Sequence, residues 1–355
     1  MGSRKAPPKN DPHGRTATSP WQMPPAAWKR IAVRTWNQSW LDNAGLVAAG
    51  VAFYGFLAII PLLGIIVLAY GFFAEPATVI RNMQAMTAVL PTDIALLIGD
   101  QLMTAVEASE GTKGLAILAA LGVALYGGTN AASAMIMALN IAYQEKEKRS
   151  LLQFYLLALA MTLGALILVV VALGATTLIS SLERLAPQAS GTAVTLGKVA
   201  SYLVLALGAA AIAATLYRYG PSREEARWSW ITPGSLFTAL GWLLLTLAFG
   251  FYITRVTDYG ATYGSLGAMV ALLTWLYLSA YVFVFGAELN SEVEHQTLID
   301  STTGPPEPLG RRGAWAADHV ADADDDGASK KEAKAGPTMA EASPGPPGTE
   351  AAKGE

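Results

Sequence analysis

"YGATYGSLGAMVALLTWLYLSAYVFVFGAELNSEVEH", residues 259–295, carries no charged side chain before Glu288, and then Glu288, Glu292 and Glu294 follow within two turns. A helix rises 1.5 Å per residue, so roughly 20 apolar residues cross a hydrocarbon core about 30 Å thick. The stretch from Tyr263 to Ala287 meets that length and predicts a transmembrane helix. A helix entering at Tyr263 completes the crossing near Val282, which leaves Glu288 roughly 9 Å past the edge of the core. There it escapes most of the ~2.5–3.5 kcal/mol assigned to a charge at a helix centre. The expectation is an interfacial Glu288 in a rim salt bridge with Arg34, Arg218 or Arg223.

The rest of the chain repeats the theme. Of 355 residues, 53% are hydrophobic and only 14% charged, where a soluble protein spreads about 25% charge over its surface. The charges fall in short clusters between long uncharged runs, so the net charge of −3 averages over segregated signs and carries no message about nucleic acid. Cysteine is absent, which excludes disulfides, a thiolate nucleophile and a cysteine metal site. The first apolar run begins near Ala44, too far in for a cleavable signal peptide.

Six segments are long and apolar enough to span, at residues 44–73, 114–143, 151–181, 200–216, 233–253 and 263–287. The fold class is therefore all-α, a polytopic bundle of six transmembrane helices. Between the first two spans, Ile94, Leu97, Ile98, Leu102 and Val106 recur at helical spacing and predict an amphipathic helix. Residues 26–42 interleave Trp28, Trp36 and Trp40 with Lys29, Arg30 and Arg34, which reads as an interfacial helix or as an ordinary juxtamembrane linker. The domain of residues 26–295 is flanked by residues 1–25 and 302–355, both rich in Pro, Gly and small polar residues and expected to be disordered. The acidic run Asp322–Asp326 reads as a solvated tail segment.

Cations fix the expected orientation. One side of a six-span chain holds Lys29, Arg30, Arg34, Lys146, Lys148, Arg149, Arg218, Arg223, Arg227, Arg311 and Arg312; the other holds Arg81, Lys113, Arg184, Lys198 and Arg255. Both termini are expected in the cytoplasm.

No catalytic motif is present. The histidines, His13, His295 and His319, are dispersed, and there is no HExxH, Walker or nucleophile-elbow pattern. Glu288, Glu292 and His295 share one helical face at i, i+4 and i+7, a spacing that metal ligands could use but that reads here as a solvated helix end. The expectation is no catalytic residue, no metal and no cofactor. A candidate substrate path lies at Gly127, Gly128, Thr129 and Asn130, near the middle of the second span. A glycine pair at that depth reads in two ways: a helix broken beside a substrate, or a close approach of a neighbouring helix. Pro61 removes one hydrogen bond from the first span and predicts a kink there. Gly260 and Gly264 form a GxxxG pair at the entry to the last span.

Three stretches, "AFYGFLAIIPLL" (52–63), "WITPGSLFTALGW" (230–242) and "YGSLGAMVALLTWLYLSAYVFVFGAELNSEVE" (263–294), together resemble the YihY/BrkB family of bacterial inner-membrane proteins, long known under the name ribonuclease BN. The resemblance implies a six-span protein of the cytoplasmic membrane. This chain has Ala58 where family members often carry Ser, and Gly220, Pro221 and Ser222 where they have Leu-Pro-Asn. The expected function is passage or handling of a small solute or lipid by the bundle, with a non-transporting envelope scaffold as the alternative. The expected partner is the lipid bilayer, with self-association left open and no nucleic acid. Ribonuclease activity is not expected, because the sequence has neither converging metal ligands nor a basic RNA surface.

Overall fold

The computed structural model describes residues 13–73, 110–165, 167, 191–255 and 267–321. The amphipathic helix expected over residues 94–106, the Gly260–Gly264 pair and the second half of the third span lie outside them. The regular structure of the described residues is helical, with one isolated antiparallel bridge between Ala226 and Thr302. A 3-10 turn at Pro20–Gln22 leads into α1 (Pro25–Leu41), α2 (Ala44–Phe73), α3 (Glu110–Ala142), α4 (Leu151–Ala165), α5 (Gly191–Tyr219), α6 (Trp228–Arg255), α7 (Gly267–His295) and the short α8 (Trp315–Asp318).

Among the described residues, α6, α7 and the Leu121–Ala142 part of α3 are long and apolar enough to cross a membrane, and α1 with the first half of α2 adds a fourth span if that bent pair is one. Their surfaces fit lipid: Leu115, Leu118, Leu207, Leu244 and Phe251 all point outward and exposed. Several threonine hydroxyls on the bundle are satisfied within their own helices, as where Thr162 donates to Ala158 O (2.8 Å) and Thr274 to Val270 O (2.7 Å). That arrangement hides those hydroxyl donors from hydrocarbon.

Helix α7 is the axis of the fold and touches α1, α2, α3, α6 and α8. One cluster joins it through Ala280 and Val284 to Ala44, Ala48 and Val51 of α2 and Ala138 of α3. Another joins Phe283 and Ala287 to Leu139 and Tyr143 at the end of α3, and to Ala213 and Tyr217 of α5. Glycine sets the α6–α7 spacing: a Cβ on Gly234 would meet Gly286 O, and one on Gly286 would lie 2.9 Å from Gly234 O. Two backbones meet where neither can carry a side chain.

The sharp bend at the start of the bundle is at Asn43. Its φ of 52° is left-handed, a region that Asn tolerates better than most residues, and α1 and α2 meet there at 65°. Pro61, expected to kink the first span, lies within the continuous helical run of α2.

The chain flanking the bundle departs from the expectation. Residues 13–24 and 296–320 fold over the end of the bundle where α7 terminates. Leu298 N–H donates to Arg15 O (2.8 Å), Thr297 Oγ1 to Ala17 O (2.9 Å) and Gln296 Nε2 to His13 O (2.7 Å). Ala17 and Met23 are buried beside Ile31, Trp230 and Val293. Arg312, itself buried, ties this cap together by donating to the carbonyls of Leu298, Glu307 and Ala317.

Candidate functional site

Under this cap, the last three turns of α7 carry a belt of buried polar groups. Glu288, Asn290 and Glu294 are fully buried and Glu292 is 5% exposed, so the solvated helix end anticipated for them is absent. Glu288 was expected at a water-facing rim, whereas it is wholly covered by protein.

All three arginines expected at the rim make ion pairs, and none pairs with Glu288. Arg34 Nε reaches Glu292 Oε2 at 2.6 Å, and its Nη2 donates to Gln296 Oε1 at 2.7 Å. Arg218 holds Glu225 at 2.6 Å and lies over the Trp228 ring. Arg223 forks onto Glu294 at 2.6 and 3.1 Å, with its guanidinium 4.9 Å from the centre of the Tyr143 ring. Glu294 also accepts from Ser301 Oγ at 2.7 Å. Neither carboxyl oxygen of Glu288 has a hydrogen-bond donor, and Tyr143 OH and Asn290 Nδ2 are likewise buried without partners.

Outside the apolar spans, a second group of contacts fastens the α3–α4 loop to the α5–α6 loop. Asn140 donates to Glu147 (2.9 Å) and accepts from Ser222 N–H (2.7 Å), while Arg149 donates to Gly220 O (2.8 Å). Burial pushes the Glu147 carboxyl up, but donors from Arg149 and Asn140 outweigh it and hold the group down at about 2. Among the described residues no group of three or more His, Cys, Asp or Glu side chains is placed to hold a metal ion. His295 instead lies 3.6 Å from Glu292 and against the Trp315 ring, which stacks on His319.

The predicted path at Gly127–Asn130 is not a break. Helix α3 runs unbroken from Glu110 to Ala142. Gly127 faces α2, where a Cβ would come 3.3 Å from Ala58 Cα, and a Cβ on Gly128 would collide with Thr162 of α4. The glycines serve close helix approach, the second of the two readings. Thr129 and Asn130 are half-buried on the same helix.

Small residues leave a space nearby, and of the four residues of the expected path Gly128 lies on its wall. Between α2, α3, α4, α5, α6 and α7 lies a cavity of about 570 Å³, within the size range of small-molecule sites. Ala52, Gly55 and Ala58 of α2 face it, as do Gly128 and Ala132 of α3 and Ala213 of α5. Its lining is almost wholly apolar. Thr162 is bonded to its own helix and Thr238 to Tyr217 OH (2.6 Å), which leaves Ser279 Oγ as a buried hydroxyl without a partner on the wall. Short side chains recurring about every three residues on facing helices were the available signal.

Residues 35–309 match the family described as Virulence factor BrkB. The putative ribonuclease-like protein YfkH of Bacillus subtilis is 29% identical over 47% of this chain and 62% of its own length. A UPF0761 membrane protein of Albidiferax ferrireducens is 28% identical over 76% of this chain and 65% of its own, and one of Delftia acidovorans is 27% identical over 74% and 62%. The chain thus spans less than two thirds of the length of these relatives. No solved structure matches it. With the family match running from the end of α1 through α7 and its buried carboxylates, the chain belongs to the Virulence factor BrkB family and is a multi-pass membrane protein.

Proposed function

We propose that this protein takes an apolar molecule, or the acyl part of a lipid, into the cavity between its helices and performs no covalent chemistry on it. The cavity carries this reading. Its apolar wall would leave a hydrated ion or sugar without hydrogen-bond partners, whereas a hydrocarbon chain loses nothing there, and Ser279 Oγ is left to donate to a carbonyl the molecule carries. The broader frame is six spans in the bacterial inner membrane with both termini in the cytoplasm, supported by the clustering of Lys and Arg on the capped side.

A ribonuclease reading, prompted by the name of the Bacillus subtilis relative, finds little support in the carboxylates of α7. Glu292 and Glu294 are committed to Arg34 and Arg223. Purified protein free of soluble nucleases is expected to leave RNA intact with or without divalent metal, and cleavage that vanishes in Glu292→Gln would refute this.

The cavity reading is tested by exchanging the purified protein through lipid-free detergent and quantifying retained lipid by mass spectrometry. Retention near one molecule per chain is expected for the native protein, with weakened retention in Ala213→Phe, whose ring intrudes into the space. Equal retention in both proteins, or none in either, would favour the scaffold reading.

A further inference from the structure

Glu288 is fully buried, and neither of its oxygens receives a hydrogen bond. The cations that approach this end of α7 are already engaged, Arg34 with Glu292 and Arg223 with Glu294. The groups around Glu288 are Asp42 from the α1–α2 elbow, Glu292 one turn on and Tyr143 from the end of α3, while His295 faces Glu292. Of these, Asp42 is the carboxyl that faces Glu288 across the elbow, where Ala44, two residues on, packs against Val284 one turn before Glu288. Asp42 is half-buried and also accepts from Gln38 Nε2 at 2.9 Å. Two ionised carboxylates in contact have acceptors only and repel; a single proton between them turns the contact into a bond.

We propose that Glu288 and Asp42 bind one proton between them, Glu288 O–H donating to the Asp42 carboxylate, and so clasp the α1–α2 elbow to α7. The proton comes from water by way of Asp42, the partly exposed member, and returns the same way. Asp42 sits beside Asn43, the left-handed residue at the 65° bend, so loss of the proton sets Asp42, Glu288 and Glu292 against each other at the hinge. The site is independent of what occupies the cavity.

The test is infrared pH-difference spectroscopy on the full-length protein in lipid nanodiscs. A protonated-carboxyl C=O band is expected at neutral pH, absent in Glu288→Gln, shifted in Asp42→Asn and unchanged in Glu292→Gln. A native spectrum without that band, or a band that survives in Glu288→Gln, overturns the proposal. Should Glu288→Gln not fold, the shift of the band in Asp42→Asn and on deuterium exchange decides the matter, and a band insensitive to both counts against it. The clasp is read separately. Spin labels at Val33→Cys and Leu46→Cys, both exposed and in a cysteine-free chain, should move apart as alkaline pH removes the proton. A distance that stays fixed while the band disappears overturns the clasp.

Discussion

Arg223 and Glu294, 71 residues apart in sequence, meet through two parallel bonds of 2.6 and 3.1 Å with side chains 1% and 0% exposed. The α5–α6 loop is thereby locked onto the end of α7 by a bidentate pair shut away from water. Such a pair gains little over an apolar replacement, yet removing one partner strands a buried charge. Arg223→Ala is expected to destabilise the protein by about 3–5 kcal/mol. Adding Glu294→Leu should restore part of that loss, as measured by denaturant unfolding in detergent.

Acid should loosen the loops that flank the bundle before the helices. Glu147 is held down at about 2, and Asp300 is also lowered: burial raises it, but the N–H groups of Glu307 and Thr302 and the Arg312 charge prevail. A carboxyl with a depressed native value contributes stability above its unfolded value of about 4.3, and loses it as pH falls through the native one. Stability is therefore expected to decline from roughly pH 4 to 2. Glu147→Gln should lower stability at neutral pH and flatten that decline; an acid profile identical to the native one would contradict the assignment.

Glycine positions divide sharply. Gly234→Ala, which would press a methyl group onto Gly286 O, and Gly128→Ala, which would press one onto Thr162, are each expected to lower the thermal midpoint. Gly122→Ala and Gly250→Ala, with open space around the new Cβ, should be neutral or slightly stabilising because Ala favours helix by about 1 kcal/mol.

These contrasts mark what the sequence makes legible. Helix positions follow from apolar run length, and a helix over residues 26–42, one of the two readings of that stretch, matches α1 to within a residue at each end. The cap escaped notice because it holds together without periodicity. Gln296 and Thr297 bond to the backbone of His13 and Ala17 at the other end of the chain, and a polar stretch gives no local sign of that. Missing the cap displaced Glu288 into water. The Gly127–Gly128 pair was ambiguous for a different reason: glycine permits both a broken helix and a close crossing, and only Ala58 and Thr162 across the interface decide between them.

Topology has its own check. Reporter fusions after Ser150 and after Arg223 are expected to read cytoplasmic, and one near Gly111 external. An external reading at Ser150 would rule out the six-span arrangement.

The central claim is that the cavity, rather than the outer surface, holds an apolar molecule. It is tested most directly by reconstituting the protein with a phospholipid bearing a photoreactive acyl chain and mapping the adducts by mass spectrometry. The account predicts adducts on inward residues such as Ala52, Met135 and Leu216, weakened in Ala213→Phe. Adducts confined to outward residues such as Leu207 and Leu244, and unchanged by Ala213→Phe, would contradict it.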